Sequence, residues 1–256
     1  NLVTSVSPML GPALGAGMMA VFSIAPMMLL DIAGASLAIL CLMRISLPDV
    51  PGSGQRVRVF ADAKQGFLAM KENKPLMAVF FPVLFASMLY MPLGSLFPLL
   101  VRLHYGGGPG HNAFVEFVFS AGLLVSSLSM GIWGGMKKRF TMISMAVGVL
   151  GLAAFCGGAL PAGGFAGFAV CCLVMGSSGT FFNVPLMAYI QETVAPQMMG
   201  KVFSLLSTAM TLATPVGLLL AGPVSQAVGV PLWFMASGIL LAAAGLVCYF
   251  AAGKYD

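Results

Sequence analysis

With 256 residues, 59% of them hydrophobic and only 7% charged, and a mean hydropathy of +1.01, the chain departs from soluble domains, in which about a quarter of residues are charged. Twelve Lys and Arg against seven Asp and Glu leave a net charge of +5, but the basic residues are scattered over short loops rather than gathered into the patch that nucleic acid requires. A soluble fold and a nucleic-acid partner are thereby excluded. What remains is an all-α polytopic membrane protein, since no alternating barrel strands are seen and each apolar run is long enough, at about 20 residues, to cross a bilayer with its backbone groups satisfied internally.

The chain begins at Asn1 and runs at once into an apolar helix with neither a charged leader nor a small-residue cleavage site. The expectation is that further sequence precedes it. A first span is predicted from Val3 to Ser23 and a second from Met27 to Met43. In the first, Gly11 and Gly15 form a small-xxx-small face that admits a close helix neighbour, and Pro12 frees a carbonyl and permits a bend. The same three residues resemble the GPxxGG signature of drug/proton antiporters, with Ala16 in place of the last Gly. Packing with a bend and an antiport signature both account for them.

From Ile45 to Pro75 lies the only long polar stretch. Pro48, Pro51, Gly52 and Gly54 open it as turn formers. Val59, Phe60, Ala63, Phe67 and Met70 then recur at helical spacing among Arg58, Lys64 and Lys71, which predicts an amphipathic helix over Val57 to Met70 lying at the membrane surface. Six more spans are predicted at Leu76 to Val101, Ala113 to Met136, Thr141 to Leu160, Gly164 to Ile190, Val202 to Pro223 and Pro231 to Ala251, parted by Gly- and Pro-bearing turns and by a polar loop from Pro196 to Lys201.

Placing the 45–75 stretch in the cytoplasm puts Arg44, Arg56, Arg58, Lys64, Lys71, Lys74, Lys137, Lys138, Arg139, Lys201 and Lys254 inside and only Arg102 outside. Eleven against one agrees with the inward bias of basic loops and predicts a cytoplasmic C terminus. Trp133 and Trp233 are then expected at opposite interfaces.

Asp31 and Glu116 are the acids expected within spans, about one turn in from the outer face. They are proton-coupling candidates, because protonation removes a charge that low dielectric penalises. As acids near a helix N-terminus they also complement the dipole, with Arg102 in reach of Glu116. Asn183, with Thr180 one turn earlier, and Tyr90 midway along its own span are candidates for a substrate cavity or for helix-helix hydrogen bonds. His104 and His111 flank a glycine-rich outer turn, as exposed loop histidines or as sensors of pH. Cys41, Cys156, Cys171, Cys172 and Cys248 fall in spans with no CxxC pair and read as small buried hydrophobes. No phosphate loop, nucleophile elbow or HExxH is present, which disfavours an enzyme and a bound metal.

The stretch Phe182 to Gly229, with IQETVAPQMMGKVFSLL and then PVGLLLAGPVSQAVG, resembles the tenth and eleventh spans of major facilitator transporters, in the branch of macrolide and enterobactin exporters. WGGMKKR at 133–139 stands where that superfamily repeats a basic loop, with Gly135 at the position of its Asp. Glu192 and Lys201 stand in the next inner loop, where Glu192 offers a substitute acid to Lys137, Lys138 or Arg139; the set is read either as a latch on an inward gate or as charges that only set orientation. The resemblance further implies that residues 1–46 are the last two helices of an N-terminal bundle, 47–73 a cytoplasmic linker and 74–256 a six-helix C-terminal bundle. Four helices, on the order of 100 residues or more, are expected before Asn1. The implied function is export of a drug-like or amphiphilic small molecule from the inner (plasma) membrane by proton antiport and alternating access, with the proton gradient in place of any cofactor and a monomer at full length. The alternatives are a siderophore or lysolipid carrier and a non-transporting eight-helix scaffold.

Overall fold

The computed structural model describes residues 24–44 and 59–256, and the described residues are almost entirely helical. The helices are α1 (Ile24–Arg44), α2 (Val59–Glu72), α3 (Lys74–Leu103), α4 (Pro109–Trp133), α5 (Arg139–Ala159), α6 (Phe165–Thr193), α7 (Pro196–Val228) and α8 (Val230–Ala252), followed by a 3-10 turn at Gly253–Tyr255. Helices α3 to α8 are each long and apolar enough to cross a membrane. The first predicted span with Gly11, Pro12 and Gly15, and the turn formers Pro48 to Gly54, lie outside the described residues.

Helix ends follow local chemistry. Asn73 caps α3 by accepting the Leu76 N–H at 3.2 Å, with Pro75 in the first turn. Helix α4 stops at Trp133, three residues short of expectation, because Gly134 and Gly135 take φ of +73° and +81°. Residues Pro196 to Lys201, expected as a loop, are instead the first turns of α7, opened by a Pro whose missing N–H costs nothing there. A single residue, Gly229 at φ +92°, joins α7 to α8.

Lipid tails are as apolar as Leu, so these helices are held by close packing and not by exclusion from water. The tightest seam runs between α5 and α8. A Cβ on Gly245 would sit 2.8 Å from the Ser144 carbonyl oxygen, and one on Gly238 would overlap Gly151 O at 2.6 Å; Gly158 meets Pro231 O at 2.5 Å in the same way. Helices α4 and α6 cross through Gly122 and Gly176 on each other's backbone, and α3 meets α7 at Gly217. Side chains fill two cores joined by Phe182: one around Phe97, Phe168 and Phe234, the other around Phe80, Phe140, Ile143, Leu186 and Val202. Trp233, four residues into α8, is only 8% exposed within the first core, whereas Trp133, the last residue of α4, is exposed.

Helix α2 packs on the bundle along one face only. Met70 is fully buried in the second core, and Gly66 packs on the backbone of Lys201 in α7, while Phe67 and Leu68 stay exposed. Its face is read by α7 because a glycine, not an apolar side chain, sits at the closest approach. The described side chains of α1 are exposed along its length.

Candidate functional site

Midway along α3 and α6, polar groups meet in an otherwise apolar wall. The Tyr90 hydroxyl lies against Gly179, where a Cβ would be 3.5 Å from it. The next residue, Thr180, is 5% exposed, and its Oγ1 has no hydrogen-bond partner. Of the other buried hydroxyls, Ser87, Ser144 and Ser178 turn back on the carbonyl four residues earlier at 2.9, 2.7 and 2.8 Å, while Ser237 on α8, like Thr180, has no partner. Thr180 departs from that habit at the depth where an unmet hydroxyl is costly. Asn183, three residues on, is exposed. Pro185 lies within the helix and has no N–H for the Phe181 carbonyl. Hydroxyl, amide and freed carbonyl thus follow one another along α6. The strip contains no ionisable acid or base besides the Tyr90 phenol, and so offers neutral hydrogen bonding.

At the end of the bundle that carries the basic residues, four helices are tied by polar contacts. Arg139, at the start of α5, grips Glu192 near the end of α6 through two parallel bonds of 2.6 and 2.8 Å, the fork geometry peculiar to guanidinium and carboxylate. Beside it Phe140 meets the Tyr189 ring edge to face. The Tyr189 hydroxyl donates to Asn73 Oδ1 and Asn73 Nδ2 donates to Thr193 Oγ1, both at 3.1 Å. On the far side of α5, the Asp256 carboxylate accepts from Phe140 N, Thr141 N and Thr141 Oγ1 at 2.8, 2.7 and 2.6 Å. Lys201 reaches α2, where its ammonium donates to Gln65. Of the expected latch, therefore, Arg139 and Glu192 are joined; Lys137 and Lys138 are exposed, and Lys201 sits on a helix facing the linker helix.

The opposite end is closed by turn-to-turn contacts. His104 Nε2 lies 2.8 Å from Leu160 O and Tyr105 Oη donates to Gly157 O at 2.6 Å. A carbonyl only accepts, so Nε2 of His104 carries the proton. Burial pushes the Tyr105 phenol up to about 12, which keeps it a neutral donor. The His111 ring packs on Phe165, and its Nδ1 accepts from Gly108 N. These histidines are parts of a clasp between the α3–α4 and α5–α6 turns; His104 is half-buried, whereas His111 is exposed as expected but stands in the first turn of α4 rather than in a loop.

Glu116 is half-buried and lies seven residues into α4, about two turns, because the helix begins at Pro109. Arg102 is exposed and forms no ion pair with it. Asp31 falls on the backbone of α1, with its side chain outside those described. Cys172 and Cys248 are buried as expected, whereas Cys41 and Cys156 are exposed. No cluster of metal-ligating side chains occurs among the described residues.

Sequence reading missed Asn73, Tyr189, Thr193 and Asp256. An Asn immediately before Lys-Pro at a helix start is a cap signal that was available; contacts across 115 to 120 positions leave no local mark. Sequence reading also missed the glycines of the α5–α8 seam, which stand seven apart in each helix, Gly151 and Gly158 in α5 and Gly238 and Gly245 in α8.

The sequence profile of the Major Facilitator Superfamily matches residues 1–218. The chain is 31% identical over 249 residues to macrolide efflux protein A of Streptococcus pyogenes, covering 95% of this chain and 61% of that protein. Macrolide efflux protein A of Enterococcus faecalis is 31% identical over 219 residues, 84% of this chain and 67% of that one. Multidrug efflux pump Tap of Mycolicibacterium fortuitum is 32% identical over 171 residues, 65% of this chain and 40% of that one. The chain thus spans about three fifths of the length of the Streptococcus relative.

Proposed function

The chain belongs to the major facilitator superfamily, and on that footing we propose that it is the C-terminal part of an efflux transporter for amphiphilic, macrolide-like molecules, working by alternating access in the inner membrane. In this reading residues 1–46 end an N-terminal bundle, 47–73 form the linker with α2, and 74–256 are the C-terminal bundle, with its basic end and C terminus in the cytoplasm. The observation that carries the reading is the polar strip on α6. A buried Thr180 hydroxyl without a partner, next to the exposed Asn183 amide, supplies neutral donors and acceptors at the depth where two-bundle transporters bind their cargo between the halves. A molecule with hydroxyl and carbonyl groups on a large apolar frame suits that strip better than an ion does, because the groups along it are neutral donors and acceptors.

In the same reading the Arg139–Glu192 fork closes the cytoplasmic side, and the chain moves substrate outward against protons. Glu116, and Asp31 on α1, are the carboxyls whose protonation would alternate between outward- and inward-facing states. Transport, not catalysis, is the outcome.

The test is macrolide accumulation in cells expressing the full-length gene. Expression should lower accumulation, and Thr180→Val or Asn183→Leu should raise it towards the level of cells lacking the gene, at unchanged abundance in the membrane. Flat accumulation with the parent gene, for macrolides and for a wider panel of amphiphiles, would defeat the efflux reading. Unchanged export by both variants would remove the strip from the substrate path.

A further inference from the structure

The first turn of α5 has an unusual cap. Lys138 occupies the N-cap position and makes no side-chain hydrogen bond to the helix; an ammonium has no acceptor to offer. The two amides left orphaned there, Phe140 N–H and Thr141 N–H, are satisfied by the Asp256 carboxylate, which also accepts from the Thr141 hydroxyl. A cap that helices ordinarily take from the adjacent residue is here delivered from beyond the end of α8, more than a hundred positions later in the chain. The negative charge also meets the positive end of the helix dipole. The 3-10 turn Gly253–Tyr255 carries the chain from α8 to that position.

Arg139 is the first residue of the turn so capped, and it is the residue that forks onto Glu192. We infer that Asp256 is a positioning residue for the Arg139–Glu192 pair: by capping α5 in place of Lys138 it fixes the backbone from which the guanidinium is aimed at α6. A two-bond fork tolerates little error in the position of its base, so loss of the cap loosens the pair without touching either partner. The end of α8 thereby becomes part of the closure between α5 and α6, and opening that closure requires the 253–256 strap to give way or to move with α5. Its importance for transport rests on the gate reading above; the positioning role does not.

The experiment is a double-mutant cycle in the full-length protein in mixed micelles, with Arg139→Gln, Glu192→Gln and the pair together, read as shifts in melting temperature. The cycle is run in the parent and in Asp256→Ala. The expected result is a non-additive shift in the parent that falls by more than half in Asp256→Ala. It should return in Asp256→Ala combined with Lys138→Ser, which restores a local cap. If Asp256→Ala does not fold, Thr141→Ala removes one of the three bonds and should lower the coupling in part. Coupling that persists undiminished without Asp256 overturns the inference, and so does a loss that Lys138→Ser leaves unrestored. No transport is measured in the cycle, so its failure and a failure of the efflux reading are separable.

Discussion

Replacing Asn73 by Ala removes a node in which one side chain serves three partners. Its Oδ1 caps α3 at Leu76 N and accepts the Tyr189 hydroxyl, and its Nδ2 donates to Thr193. An N-cap Asn is worth about 1 kcal/mol over Ala. The partly buried Tyr189 bond adds about 0.5 to 1 kcal/mol, and the exposed Thr193 bond only a few tenths. The sum is a loss of about 2 kcal/mol, readable by equilibrium unfolding in mixed micelles titrated with sodium dodecyl sulfate. Tyr189→Phe alone should cost about 0.5 to 1 kcal/mol, but close to nothing once Asn73 is already Ala, because the two changes delete the same bond. Asn73→Asp keeps the cap and the Tyr189 acceptor. It gains from the helix dipole but faces Thr193 with an oxygen, while the Thr193 proton is engaged by Tyr189 O at 2.7 Å; it should sit near the parent. Strict additivity of Asn73→Ala and Tyr189→Phe, or a cost of Asn73→Ala within about 0.5 kcal/mol of zero, the usual range of a surface change, would refute the reasoning.

Gly238→Val drives a side chain into the backbone of α5 at Gly151 and Phe155, and should cost at least the roughly 1 to 3 kcal/mol of an overpacked core in the same titration; Gly222→Ala, which has open space, is the control and should move unfolding little. Gly66→Leu places its Cβ 2.8 Å from Lys201 O and should undock α2, seen as faster hydrogen exchange across residues 59–72 with the bundle unchanged; equal exchange would mean that α2 is held elsewhere. Arg139→Glu and Glu192→Arg should each impair export in the full-length protein, and the swap of both should recover most of it. Failure of the swap to recover export that both single changes abolish would count against the gate.

Much of this fold is legible in the sequence. Membrane spans announce themselves because a run of about 20 apolar residues has few other uses, and the six described spans deviate from expectation by a few residues at their ends. The larger misses have physical reasons. Pro196 to Lys201 looked like a loop because Pro, Gln and Gly crowd it, yet Pro is at ease in a first turn. That the Trp233 ring packs inward while that of Trp133 is exposed was not legible, because rotation about the helix axis is set by packing. Lys201 and Glu192 read as neighbours in one loop, and the helix start between them sends one to α2 and the other to α5. The pairing of Arg139 with Glu192 was visible as opposite charges on facing loops; which of three adjacent cations would be chosen depended on where α5 begins. Asp256 was invisible because two of its three partners are backbone amides, which carry no letter in a sequence, and the third is a Thr hydroxyl 115 positions away.

The seam between α5 and α8 also sets an order of events during synthesis. Gly151 finds its backbone neighbours at Gly238 and Ala242, roughly ninety residues downstream, after α6 and α7 have been made and inserted. Until then α5 stands in the lipid with a bare groove along one side, and among the described helices only α8 presents glycines to fill it so closely. Helix α8, made after α6 and α7, is therefore the one that closes this seam, and assembly is gated by a contact of long sequence separation rather than by pairing of each new hairpin. A chain that ends before α8 would expose that groove permanently, giving cellular quality control a feature by which to recognise an unfinished product.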